Sequence, residues 1–507
     1  MASWKHIKRR VRAFKRWMQS HSIDCSAALR FTDDPSLGIA VRALRDLREG
    51  DVVATIPKAA CLTVRTGGAS SLIEAAGLDG SLGLAVALMY ERSLGERSPW
   101  AGYLQLLPER ECLPLVWTLD EVDRLLRGTE LHETLREDKA LVYDDWKECI
   151  LPLLDSGPLK LDPEYFGPEQ YFAAKSLISS RSFEIDAYHG FGMVPLADLF
   201  NHKTGAEDVH ITSVSSHHES DDDSDDDSNN GNDYSDADIS EDGNGQLSQD
   251  LDKNSHGDMD MECPPAPEEE PTVLEMILIK DVKAGDEVYN TYGNMGNAAL
   301  LHRYGFTEEN NPYDIVNIDI ELVLEWSNSL FSNRHSRARV GMWRRLNYSG
   351  CVSQDSEYFE ISYDGEPQLE LIILLYMMLL SDDAYHILDL AASTEQDYNL
   401  DMLLSEKEKL QEAPTPELSK DLMVTEGVCK ALLELADIRE RLYGPNSIRD
   451  DIEALNTCRC SEDRKLYYTL ILRVCERRIL EKLRRYASLK VEAFGRKKGF
   501  TRRDIRV

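Results

Sequence analysis

Three hydrophobic periodicities alternate along the chain, and each marks a different kind of element. Phe14, Trp17 and Met18 recur at helical spacing, so the opening segment reads as an amphipathic helix. Two short apolar runs follow, Leu37-Gly38-Ile39-Ala40-Val41 and Asp51-Val52-Val53-Ala54-Thr55-Ile56-Pro57, with Glu49-Gly50-Asp51 near the connection; they predict two strands paired as a hairpin. From 81 to 190 the period turns helical, through Leu84, Leu88 and Met89, then Leu131 and Leu135, then Tyr171, Ala174, Lys175 and Ile178. Strand alternation resumes at Val209 to Val214 and again at Thr272 to Lys280, where Val273, Met276 and Leu278 mark one buried face. Beyond 316 the pattern is mostly helical. Its last helix carries Tyr468, Leu472, Cys475, Ile479, Leu483 and Tyr486 on one stripe, with Arg477, Arg478, Lys482, Arg484 and Arg485 expected on the remaining, solvated surface.

Length and charge sharpen this outline. A chain of 507 residues exceeds what one core organises, so two domains are expected. The longest apolar run, Leu371 to Leu380, is half the ~20 residues that cross a bilayer as a helix, so no membrane span or membrane partner is expected. The formal net charge is −34, but residues 219–270 hold 20 acidic side chains against one basic, Lys253. That segment has almost no branched aliphatics and reads as disordered. Because it falls between two alternating runs, it is expected to be an enlarged hairpin loop; closure costs only ~0.6 kcal/mol per doubling of length. Ser220, Ser224, Ser235 and Ser240 precede acids in the manner of acid-directed kinase sites.

The ends are basic. Lys5, Lys8, Arg9, Arg10, Arg12, Lys15 and Arg16 precede the first acid, Asp24, and Arg496, Lys497, Lys498, Arg502, Arg503 and Arg506 crowd the tail. These ends fit nuclear import or contact with RNA-rich particles, and equally well plain solvated termini. The ten cysteines form no CxxC pair; a reduced compartment is expected, and Cys458 with Cys460 alone makes no zinc site.

Two separated blocks carry the chemistry: Val194, Pro195, Asp198, Asn201 and His202 in MVPLADLFNH, and Asn290 to Phe306 in NTYGNMGNAALLHRYGF. With them go Leu37-Gly38-Ile39-Ala40, Gly50-Asp51-Val52-Val53, Trp100, Tyr103, Leu107-Pro108, Trp117, Leu125 to Thr129, Ser180-Arg181-Ser182-Phe183 and Asn311-Pro312. In order and combination these resemble SET-domain protein methyltransferases of the Rubisco-large-subunit-methyltransferase type, and within it the branch of SET-domain protein six and yeast ribosomal lysine methyltransferase four. The resemblance is good over about 14–315. It implies an α+β fold: a knotted, β-rich SET domain over 1–315, with a helical insert at about 75–190 and the acidic loop at about 216–271. An all-α substrate-binding domain over 316–490 and a basic tail over 491–507 complete the expected chain.

The resemblance also assigns roles. It implies S-adenosyl-L-methionine as co-substrate and no metal. Tyr292 corresponds to the active-site tyrosine; Leu37, Gly38, Arg181, Asn201, His202, Tyr292 and Phe306 correspond to cofactor-binding positions, with Arg181 on the cofactor's carboxylate. Phe183 and Tyr304 would line a lysine channel, and Asp198 either orients substrate or locks the crossing of the chain. Where relatives carry a Gly-x-Gly pair this chain has Ser36-Leu37-Gly38, so one position has lost its freedom at positive φ. The expected activity is methylation of lysine on a non-histone intracellular protein, with a basic ribosomal or chromatin-associated protein as partner and no direct nucleic-acid binding. Histidine methylation on the same fold, or an inactive core whose acidic loop captures basic proteins, are the alternatives. Nucleus or cytoplasm is the expected location, ahead of an organelle.

Overall fold

The computed structural model describes residues 2–34, 38–156, 159–214, 272–346, 357–394 and 423–503. Helix α1 (Ala2–Ser20) turns Phe14, Trp17 and Met18 into the main core, and Trp17 Nε1 donates to Pro99 O at 2.6 Å, tying the helix to the insert that follows.

Among the described residues, eleven strands are arranged in small sheets. Strand β1 (Asp24–Cys25), β4 (Val52–Pro57), β9 (Val273–Leu278) and β8 (Val209–Val214) make a four-stranded sheet in the order β1-β4-β9-β8. A separate antiparallel ribbon joins β2 (Leu29–Asp34) to β3 (Gly38–Ala43), and β5 (Leu62–Thr63), β7 (Gly190–Met193) and β6 (Ser182–Asp186) form a third sheet. The expected hairpin between 37–41 and 51–57 is therefore corrected. Both segments are extended, but β3 pairs with β2 from Leu29↔Ala43 to Asp34↔Gly38, while β4 is flanked by β1 and β9. In the Leu29–Asp34 run only Leu29 and Phe31 form an apolar face, too short an alternation to mark a strand in sequence. Strands β8 and β9 pair antiparallel from Val209↔Leu278 to Val214↔Val273, so the acidic segment is inserted at the end of a closed ladder; residues 215–271 lie outside the described residues.

Helices fill the chain from Ser70 to Arg181. Two of them, α2 (Gly80–Leu94) and α3 (Pro168–Arg181), pack on each other and on the β5-β7-β6 sheet. Helix α3 starts with Pro168 in its first turn, where a missing N–H costs nothing, and ends by delivering Arg181 to the site. A short helix, α4 (Asn297–Tyr304), closes the SET half.

Beyond it the described residues are helical apart from one ribbon, β10 (Val316–Asp319) with β11 (Tyr358–Ile361). Helices α5 (Glu426–Arg441), α6 (Ile448–Thr457) and α7 (Arg464–Arg503) dominate this half. Helix α7 runs through the boundary expected at 490, and Val491 and Phe494 pack against the second core.

One core gathers residues from Phe14 to Val288 and another those from Val316 to Ala487. A third, smaller core is shared: Trp117, Val122, Leu126 and Leu135 of the insert and Leu301 of α4 pack with Tyr468, Ile471, Leu472 and Cys475 of α7. A buried polar hub reinforces the junction. Arg439 of α5 donates to Gly128 O at 2.6 Å and Glu130 at 2.9 Å, and Arg473 of α7 donates to Arg127 O at 2.9 Å and Asp451 at 3.1 Å. Arg477, expected on the solvated face, is instead 2% exposed and bonded to Glu440 and Asp451. Helical spacing gives a side chain's direction, not the acids that α5 and α6 bring to meet it.

Candidate active site

The first block enters the site through a strained turn. Buried Leu196 has φ +79 and ψ −46, a γ-turn conformation that costs a residue with a Cβ ~1–3 kcal/mol. The 3₁₀ turn Ala197–Leu199 follows, with Leu199 N donating to Leu196 O at 3.1 Å. Past this turn Asp198 meets two donors: Tyr103 Oη reaches Asp198 Oδ2 at 2.9 Å and Arg181 Nη1 reaches the same oxygen at 3.2 Å. Arg181 Nη1 also donates to Asp198 O at 3.0 Å, and Arg181 Nε to Glu111 Oε1 at 2.7 Å. Burial alone would loosen the Arg181 proton; Glu111 and Asp198 outweigh that and hold it charged. Burial raises the Asp198 pKa, with Arg181 and Tyr103 opposing in part. Its Oδ1 is buried with no hydrogen-bond partner among the described residues.

The two blocks then cross. Asn290 N donates to Asn201 O at 2.9 Å, and Asn290 forms parallel bridges with both His202 and Val209, so the second block lies between the end of the first and the start of β8. Asn201 Nδ2 donates to Glu287 Oε1 at 2.7 Å, fixing its amide. His202 Nδ1 accepts from Tyr292 N at 3.0 Å and so must carry a lone pair; burial lowers its pKa in the same sense. The imidazole is therefore neutral with its proton on Nε2, 3.3 Å from Thr204 Oγ1.

Stacked rings form the floor. His202 lies on Tyr292 at 5.1 Å between centroids, and Tyr292 on Tyr304 at 4.3 Å; Phe306 stands 6.1 Å from His202 and 6.4 Å from Tyr304. Gly305 makes this possible. At φ +76 it terminates α4 with its N–H on Leu300 O and Leu301 O, so the residues on either side of it, Tyr304 and Phe306, both line one cavity. Tyr292 Oη donates to Phe200 O at 3.1 Å, and burial raises its pKa, so it is a neutral phenol whose oxygen lone pairs remain to serve as acceptors.

These groups line an open-mouthed cavity of about 630 Å³. Gly38 (φ +85), Arg181, Asp198, Asn201, His202, Tyr292, Tyr304 and Phe306 all reach it. Leu37 lies outside the described residues. Phe183 does not line the cavity: it sits on β6 opposite Gly192 and packs against the main core. Glu111, Glu287, Arg464 and Tyr468 join the lining; the sequence marked only Tyr468, and as part of a helix's apolar stripe, since no motif places these distant stretches together. A smaller cavity of about 370 Å³, lined by Arg92, Glu109 and Gln170, shares only Pro108 with the larger one and meets none of the residues assigned to cofactor or substrate.

Ribosomal lysine N-methyltransferase 3 of Saccharomyces cerevisiae is 28% identical over 381 residues, 66% of this chain and 68% of that protein. N-lysine methyltransferase setd6 of Xenopus laevis is 22% identical over 429 residues, 80% and 82% of the two chains. The structure of Rubisco LSMT bound to AdoMet superposes with a TM-score of 0.60 at 21% identity, over 95% of this chain and 92% of that one, and the LSMT SET domain bound to lysine and AdoHcy with 0.57 at 20% over the same shares. No protein-family model matches the chain. The architecture is that of a SET domain with a helical insert and a helical C-terminal half. In fold the chain is similar to the Rubisco LSMT structures, and in sequence to these named lysine N-methyltransferases.

Whether the cavity suits S-adenosylmethionine can be judged from its own donors and acceptors. The orphaned, buried Asp198 Oδ1 is an acceptor fit for an ammonium, and Arg181 still has its Nη2 group to offer a carboxylate once Nε and Nη1 are engaged. Phe306 and the positive-φ Gly38 provide a flat wall and a close backbone. The residues fit the co-substrate.

Proposed function

We propose that the chain is an S-adenosylmethionine-dependent protein-lysine N-methyltransferase acting on a basic, non-histone protein. The observation that carries the reading is the neutral Tyr292 phenol, stacked between His202 and Tyr304 at the point where the two blocks cross and within the same cavity as Arg181 and Asn201.

When bound, S-adenosylmethionine supplies a methyl group on a positively charged sulfur. The chain's residues must then present a lysine nitrogen with its lone pair free. At a reference pKa of ~10.4, fewer than about one lysine in a thousand is neutral near pH 7, a handicap of roughly 4–5 kcal/mol. Tyr292, Tyr304 and His202 give the site an aromatic floor, which disfavours the ammonium by desolvation. Asp198 is not left free to serve as the proton acceptor in their place, because its Oδ2 is held by Tyr103 and Arg181 and its Oδ1 is the acceptor for the co-substrate's ammonium. Water reached through the open mouth therefore takes the proton before transfer. Tyr292 Oη, its own proton given to Phe200 O, keeps lone pairs that hold the neutral amine by an N–H bond and accept weak C–H contacts from a polarised methyl. Holding nitrogen, carbon and sulfur in line supplies the proximity effect.

Two relatives carry lysine methylation in their names, one of them on ribosomal protein, and this supports a ribosomal or similarly basic target here. Residues 219–270, with their 20 acids, would steer such a target. Nucleus and cytoplasm both suit that role. The test is transfer of labelled methyl from S-adenosylmethionine into a cell extract by the wild type and by Asn201→Ala, with the modified residue read by mass spectrometry. Label on lysine from wild type only is expected; label on histidine, or none despite cofactor binding, overturns the reading. Deleting 219–265 is expected to slow methylation of the identified protein at low salt and to make little difference at high salt; equal rates at low salt refute the steering role.

A further inference from the structure

Helix α7 belongs to the C-terminal half, yet its first turns reach the cavity of the SET half. Arg464 and Tyr468 line it beside Phe306, Thr307 and Glu308. We infer that the C-terminal half completes the cofactor site, with the Arg464 guanidinium, backed by Tyr468, binding the adenosine part of S-adenosylmethionine. The inference rests on the assignment of this cavity to that co-substrate.

Arg464 differs from the other arginines at this junction. Arg439, Arg473 and Arg477 each donate to carboxylates and carbonyls, and the next residue, Lys465, is paired with Glu121 at 2.7 Å. Arg464 makes no ion pair among the described residues, and its Nε is buried with no hydrogen-bond partner among them. A buried guanidinium donor left unmet costs ~1–3 kcal/mol or more, so an acceptor is called for. Glu308 lines the same cavity and its two carboxylate oxygens share the Thr204 N–H at 3.2 Å each, but no hydrogen bond or ion pair joins it to Arg464 among the described residues.

The mount is rigid. The Arg464 guanidinium lies 5.5 Å from the Tyr468 ring centroid, and Tyr468 is 5% exposed within the shared core. Thr307 Oγ1 donates to Tyr468 O at 3.0 Å, binding the residue after Phe306 directly to α7. Phe306 itself packs against that core while lining the cavity. A planar cation beside a phenyl wall matches a purine: its face can stack, and its edge can donate to a ring nitrogen or a ribose oxygen. The amino-acid part of the cofactor has its own cation in Arg181, set among Glu111, Asp198 and Tyr103.

The division of labour between the two arginines is testable by equilibrium binding without any protein substrate. Titration calorimetry with S-adenosylmethionine, S-adenosylhomocysteine and 5′-methylthioadenosine, which lacks the amino-acid end, is carried out on wild type, Arg464→Ala, Arg464→Lys and Arg181→Lys. Arg464→Ala is expected to weaken all three ligands by about tenfold, and Arg464→Lys, which keeps the charge and loses the plane, by about three- to fivefold. Arg181→Lys is expected to weaken the first two and spare methylthioadenosine. Should Arg464→Ala fail to fold, as read by its melting curve, the lysine variant decides. Wild-type affinity in the Arg464 variants, or a loss confined to the ligands with an amino-acid end, overturns the inference while leaving the methyltransferase reading intact. A wild type that binds none of the three would instead overturn that reading.

Discussion

Tyr292→Phe removes one oxygen from the centre of the site and leaves its shape in place. The ring keeps its stacks on Tyr304 at 4.3 Å and His202 at 5.1 Å, and its backbone N–H still donates to His202 Nδ1. Two things are lost. Phe200 O, in a fully buried residue, loses the phenol donor at 3.1 Å, which costs ~1–2 kcal/mol of stability. The cavity also loses the lone pairs that hold the amine and the methyl, an electrostatic contribution of ~2–3 kcal/mol to the barrier, or about 30- to 150-fold in rate. Single-turnover methyl transfer at saturating S-adenosylmethionine reads this directly, with cofactor affinity measured alongside. The rate is expected to fall by that factor while affinity stays within about threefold. The pH profile should keep its shape: burial raises the Tyr292 pKa above its ordinary value of 10.0, so the phenol is protonated across the working range, and both enzymes should gain rate with pH as lysine deprotonates. A rate within about threefold of wild type would refute the acceptor role. So would an equal loss in cofactor affinity, since the phenol would then be holding ground-state ligand rather than the reacting atoms.

Two further outcomes follow from the fold. In Gly305→Ala a Cβ would stand 2.9 Å from Cys112 O on a backbone at φ +76, costing ~2–4 kcal/mol between strain and clash; a lower melting temperature and weaker S-adenosylmethionine binding are expected together, because Tyr304 and Phe306 flank the position, and loss of stability with intact affinity would refute the coupling. Glu476 is buried, close to Glu130, and pushed up to about 8 from 4.5, with Arg439 opposing in part. The folded state thus keeps a proton that the unfolded chain releases, so this group's favourable contribution is full below about pH 4.5 and is lost as pH rises toward about 8. Melting temperature should fall over that window in wild type and less steeply in Glu476→Gln; parallel curves would refute it.

What could be read from sequence was contiguous. The crossing of Asn201-His202 with the Asn290 segment, and the ladder Tyr292, Tyr304, Phe306, sit in two short blocks whose order is informative on its own. The acidic segment's place between β8 and β9 was legible from strand alternation on either side. Strand partners were not: β4 alternates visibly, but one neighbour, β1, is a two-residue strand too short to show a pattern, and the other, β9, begins only at Val273, far along the chain. Phe183 shows the converse limit, because its neighbours in sequence belong to the site while strand β6 turns its side chain into the core. Glu111 and Tyr103, which hold Arg181 and Asp198, come from the insert; Tyr103 entered only as part of the resemblance, and no spacing signal ties either one to the site. Arg464 gave none either, since what distinguishes it is an unmet donor, visible only once its surroundings exist.

The shared core has a bearing on how the protein is made. Trp117, Val122 and Leu126 are synthesised early, yet the side chains that cover them, Tyr468, Ile471 and Leu472, lie some 340 residues later along the chain. Until the ribosome has released that stretch, the insert presents an apolar face with nothing to bury it, a state open to aggregation and a natural client for chaperones. Phe306 shares the same cover, so the catalytic half is finished last although almost all of it is translated first. A chain cut short before α7 would lose its final check on assembly along with its second half, which makes premature termination here harmful to solubility as well as to activity.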